Sequence, residues 1–175
     1  MAAVGYVTPQ PGDYGVERTR GFTAWAIRVA TRSAFSHAFV VVRDGYVVEA
    51  RSKGAVCRPL GIRDAIYSSD AIELSPAERS DIVNAAMYLV DTPYSWLDIV
   101  SIGLLQYGIK PRWVRDRVER TDQLICSQLV DLTYEGPSGR LGGMVLLAPG
   151  VHLFADSRLA MDVTPGDLAK RAGWR

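Results

Sequence analysis

Cysteine and histidine are scarce in this chain, two of each among 175 residues. Four such side chains, at spacings that match no zinc motif, cannot build a four-ligand structural zinc site without carboxylates. No metal and no other cofactor is expected. An excess of either charge is missing too: 20 basic side chains face 19 acidic ones, for a formal net charge of +1. Nucleic-acid binders normally show a strong basic excess, so no nucleic-acid partner is expected. Long apolar runs are also absent. The longest, residues 97–109, contains Asp98, Ser101 and Gln106 and falls short of the ~20 residues that span a bilayer. No integral membrane segment is expected. Met1 to Asp13 shows no basic start followed by an apolar run of the signal-peptide kind. The expectation is a cytoplasmic protein with Cys57 and Cys126 as free thiols.

No repeat, low-complexity stretch or composition break divides the chain, so residues 1–175 are expected to form a single domain. Pro9, Pro11 and Gly12 mark an opening turn, and residues 23–31 read as a short amphipathic helix. Residues 37–43 and 46–51 are β-branched runs joined at Asp44-Gly45, a hairpin signal. Residues 56–60 and 71–74 look like further strands. Ser75-Pro76-Ala77-Glu78 is a capping box with proline at the first helical position, predicting a helix to about residue 90. Further helices are expected over 96–107 and 125–134, and one that starts at Thr164-Pro165. Residues 112–122 read as an exposed charged segment and 138–150 as a glycine-rich loop. Hairpins and helices in separate runs predict an α+β arrangement, an antiparallel sheet packed against helices.

Cys126 stands where an apolar approach, Leu124-Ile125, meets the start of a helix. The positive end of a helix favours thiolate over thiol, and free N–H groups there can hold an oxyanion. The plainer alternative is a buried cysteine packed as a small hydrophobe. His37 opens a strand and can face a cleft while that strand stays buried, or it can be satisfied by a local backbone partner. Glu49 is twelve positions later. A three-residue hairpin loop pairs Val42 with Tyr46 and Phe39 with Glu49, leaving His37 a diagonal neighbour on the face of Glu49, within its reach. A two-residue loop instead pairs Val40 with Glu49 and sends the two side chains to opposite faces. In the first register a nucleophile, a base and an orienting carboxylate are all available, the logic of thiol catalysis; in the second Glu49 is a solvated strand carboxylate.

Gly12-Asp13, Ser36-His37, Glu49, Pro93-Tyr94, Cys126-Ser127 and the stretch Thr164 to Leu168 resemble, in this order, a known pattern. It is that of the circularly permuted papain-like cysteine hydrolases of the NlpC-like superfamily, in particular the YiiX-like bacterial and phage members. More distantly the chain is similar to lecithin retinol acyltransferase. The resemblance implies a papain-like fold with the nucleophile at a helix N-terminus and catalytic Cys126, His37 and Glu49. It also implies a cysteine peptidase or amidase cleaving an amide bond in peptidoglycan peptides. Acyl transfer or lipid deacylation by the same triad, or a non-catalytic phage structural protein, are the alternatives. Ser36, Tyr94 and Ser127 are expected to line the cleft. Cys57, next to Arg58-Pro59, reads as structural.

Overall fold

The computed structural model describes residues 8–43, 45–51, 54–61, 64–91, 126–135, 153 and 163–174. Alternating apolar positions fold there into five strands, β1 (Tyr14–Glu17), β2 (His37–Arg43), β3 (Tyr46–Arg51), β4 (Gly54–Pro59) and β5 (Ala65–Tyr67). They form one antiparallel sheet in the order β4-β3-β2-β1-β5. Among the described residues four α-helices accompany it: α1 (Phe22–Thr31), α2 (Pro76–Tyr88), α3 (Cys126–Glu135) and α4 (Pro165–Arg171). The α+β expectation holds. Among the described residues, no helix is long and apolar enough to cross a membrane.

Period-two alternation assigns the sheet residues to two sides. Ala38, Val40, Val42, Val48, Ala50 and Ala55 join the main core with Ile82 and Ala86 of α2, Leu129 and Val130 of α3, and Leu168 and Ala169 of α4. Phe39, Val41 and Val47 face the other way and pack with Leu60, Ala65 and Tyr67. Gly15 lies opposite Phe39 in the ladder. A Cβ at Gly15 would sit 2.3 Å from the Phe39 ring, so only glycine lets the ring lie across β1. Burial drives the phenols of Tyr14 and Tyr134 upward, so both stay neutral. Each satisfies its hydroxyl within the protein: Tyr14 donates to the Leu168 carbonyl at 2.9 Å, Tyr134 to the Gly12 carbonyl. Their rings meet edge to face at 5.5 Å, tying β1 to α3.

The expected capping box forms at Ser75, and a second one forms at the expected helix start, Thr164. Ser75 Oγ accepts from the Glu78 N–H while Glu78 Oε2 accepts from the Ser75 N–H, and Thr164 and Asp167 do the same at the start of α4. Two strand assignments change. Residues 71–74 form no ladder, because the N–H groups of Ala71 and Ile72 are already bound to the Ser68 carbonyl in a 3-10 turn. The outer partner of β1 is instead β5, with Val16 opposite Ile66. β1 itself follows directly on the opening turn and occupies an interior place in the sheet. The expected helix over 96–107, the charged segment 112–122, the loop 138–150 and Tyr94 lie outside the described residues.

Candidate active site

His37 is the first residue of β2, at the end of that strand, and Cys126 belongs to α3, which is described from Cys126 onward. The hairpin between β2 and β3 decides whether Glu49 can join them. Its observed register belongs to neither simple loop. Arg43 pairs with Tyr46, as a two-residue turn demands, yet Phe39 pairs with Glu49. A register shift between Val41 and Arg43 reconciles the two. Val42 is the extra residue of a β-bulge, and a bulge moves everything beyond it by one position. Gly45 takes a φ of 77°, the left-handed conformation the turn requires. His37 and Glu49 therefore share a face, and His37 Nε2 lies 3.0 Å from Glu49 Oε2.

Cys126 lies close enough to the same imidazole to favour its protonated form. With Nε2 turned to Glu49, Nδ1 is the ring nitrogen left for the thiol. Burial by itself pushes the His37 pKa down, but the hydrogen bonds and negative charges of Cys126 and Glu49 outweigh it and lift it to about 9. Imidazolium is then the resting form at neutral pH. The Glu49 side chain is fully buried, His37 is 14% exposed and Cys126 4%. Glu49 Oε1 accepts from Arg51 Nε at 2.6 Å and from Arg58 Nη1 at 3.1 Å. A carboxylate without water is thus held by an imidazole and two guanidiniums, which compensate its desolvation.

Two further side chains lie near His37. Glu17 of β1 lies directly opposite His37 in the ladder. Phe39, two residues on along β2, presents its ring to that of His37, with centroids 6.4 Å apart. Glu17 was not legible without β1, whose local signals are the Gly12-Asp13 turn and a four-residue alternation. Ser36 and Ser127 do not line a cleft. Both are buried, Ser36 Oγ accepting from the Thr19 N–H at 2.9 Å and Ser127 donating to the Val163 carbonyl at 2.6 Å. Ser36 sets the entry to β2, and Ser127 ties α3 to the segment before α4. Cys57 is exposed on β4, an edge strand of the described sheet.

The chain is similar to a bacterial peptidase. It is 30% identical over 97 residues to the probable lipoprotein peptidase YaeF of Escherichia coli (strain K12), an alignment covering 52% of this chain. The match spans about a third of that relative, 35% of its length. The fold is similar to the crystal structure of the metalloprotein YiiX from Escherichia coli O157:H7, with a TM-score of 0.50 and 21% identity. That superposition covers 74% of this chain and 66% of YiiX. No family model matches the chain.

Donor atoms of Glu17, His37 and Glu49 all lie within 4.8 Å of one another, close enough to surround an ion. The set does not fit a resident metal. Glu49 Oε2 already faces His37, and Glu49 Oε1 already accepts from two arginines, whose positive charge a metal cation would have to meet at close range. The cluster is compensated by protein cations.

Proposed function

We propose that this chain is a thiol hydrolase of the YiiX-like, permuted papain-like kind, cleaving an amide bond. The observation that carries the reading is one imidazole, His37, hydrogen-bonded to a buried Glu49 and close to Cys126. In the proposed reaction the Cys126 thiolate attacks the substrate carbonyl carbon. The N–H of Cys126, at the first turn of α3, donates to the oxyanion. His37, charged at rest, delivers its proton to the departing amine as the C–N bond breaks. It then takes a proton from water, and the hydroxide cleaves the thioester to release the acid and restore the Cys126 thiolate beside the charged His37. Glu49 keeps the ring oriented and favours its charged form. The similarity to a lipoprotein peptidase supports a peptide-like substrate, and peptides of peptidoglycan are the proposed class.

Labelling with an electrophilic thiol reagent tests this. Exposed Cys57 would react too, so a Cys57→Ser background is needed. Cys126 should label rapidly at neutral pH, and His37→Ala should slow it markedly. Cys126→Ala should remove turnover of peptidoglycan peptides, a loss of more than ~10³-fold, while keeping the unfolding midpoint. Turnover that survives in Cys126→Ala rules the mechanism out. Parallel assays with acylated lipids and an acyl acceptor separate hydrolysis from acyl transfer.

A further inference from the structure

Helix α1 is apolar on two sides. Its inward side buries Ala24 and Ile27, 5% and 8% exposed. At 100° per residue, Phe22, Trp25 and Val29 fall together on the opposite side. They are 81%, 53% and 44% exposed. The rings of Phe22 and Trp25 lie against each other, centroids 5.7 Å apart, and form one aromatic patch. A surface helix normally turns polar residues outward, so an outward face of this kind marks an interaction surface.

Charge identifies the partner. The whole chain carries +1, yet from Arg18 to Arg32 there are four arginines and no aspartate or glutamate. Arg28 turns back to donate to the Thr19 carbonyl at 2.8 Å, fastening the helix to the segment before it. Arg18 and Arg20 before the helix and Arg32 after it remain exposed. An exposed aromatic face bracketed by arginines matches a surface that is apolar below and anionic above. We propose that α1 docks on anionic lipid, with Phe22, Trp25 and Val29 at the level of the acyl boundary and Arg18, Arg20 and Arg32 among the headgroups. A second copy of the chain is a poorer occupant, because a two-fold contact would press two arginine-rich faces together. The surface is also mechanically tied to the candidate site. Thr19 hydrogen-bonds Ser36, the neighbour of His37, and Glu17 lies opposite His37. A docked α1 would hold that end of β2 beside the membrane surface. This inference is independent of the thiol mechanism.

Co-sedimentation of the full chain with vesicles tests it, comparing pure phosphatidylcholine with a mixture containing about one third phosphatidylglycerol. Binding should be strong on the anionic vesicles, weak on the neutral ones, and reduced by salt. Phe22→Ser/Trp25→Ser should weaken it by about tenfold or more and Arg18→Gln/Arg20→Gln by several-fold, whereas Cys126→Ala should bind like the unmodified chain. Phe22 and Trp25 are largely solvated, so unfolding midpoints should change little; if the aromatic pair does unfold the chain, the arginine pair decides. Absence of vesicle binding overturns the proposal, as does binding indifferent to both pairs of substitutions. An aromatic-dependent dimer in sedimentation velocity without lipid also overturns it, by making the face a self-interface.

Discussion

Among the described residues, two carboxylates, Asp13 and Glu49, have side chains with no solvent exposure, and each is bound to arginine. Asp13 accepts from Arg79 Nη1 at 2.9 Å and from the Gln10 N–H at 2.7 Å. The same Arg79 nitrogen donates to the Pro11 carbonyl at 2.9 Å. Every partner has a fixed protonation state, so the arrangement clamps the turn before β1 onto α2 and can do nothing else. Glu49 has two arginines as well, but its other oxygen faces His37, which can gain or lose a proton and also touches a thiol. Burial and charge pairing alone do not separate a structural carboxylate from a functional one. The separating feature is a partner that titrates.

Substitution at each carboxylate's partners should therefore give opposite phenotypes. The largest effect is expected from Arg79→Met, which leaves Asp13 buried without its cation. Unfolding free energy by denaturant should fall by about 3 kcal/mol. The rate per folded molecule should hold, and a rate loss without a stability loss would break the comparison. Glu49→Gln comes next and reverses the pattern. Turnover should drop by about a hundredfold through misorientation and a less basic His37, with a smaller change in stability. An unaltered rate and pH profile would reduce Glu49 to a second clamp.

The third expectation concerns pH. His37 is raised from 6.5 to about 9 on folding, so it binds its proton more tightly in the folded state. Its contribution to stability is complete below the unfolded value and is lost as pH rises through the folded one. Stability should accordingly decline between pH 6.5 and about 9, by about 3 kcal/mol, and Glu49→Gln should flatten that decline. The smallest effect belongs to Arg51→Ala. Its bond to Glu49 is short, 2.6 Å, but the Arg51 side chain is 53% exposed and Arg58 remains, so solvent screening limits the loss to under ~1 kcal/mol. A loss as large as that of Arg79→Met would show that the two arginines on Glu49 act as a clamp after all.

Features that rest on contacts within a few residues were legible from the sequence. The two capping boxes are local hydrogen-bond circuits between Ser75 and Glu78 and between Thr164 and Asp167, and the residues that close them are three apart. The strands β2 and β3 announce themselves by β-branched residues around Gly45, and Cys126 by its place at the change from an apolar approach to a helical period. The order of hairpin and helix signals already indicated an α+β chain, with a cysteine expected at a helix start and a histidine at a strand start. What only the tertiary structure decided depends on partners far along the chain. The bulge at Val42 chose the face of Glu49, since the loop sequence allows either register and the one observed puts Val48 and Ala50 in the main core and Glu49 on the other face. β1 became an interior strand because β2 and β5 satisfy both its edges, and this put Glu17 opposite His37. Asp13 met Arg79 across 66 positions. Ser36 and Ser127, polar and next to the two key residues, were drawn into the interior by Thr19 and Val163. Local hydrogen bonds and side-chain period can be read from neighbours in sequence; pairing register and charge compensation are properties of residues that folding alone brings together.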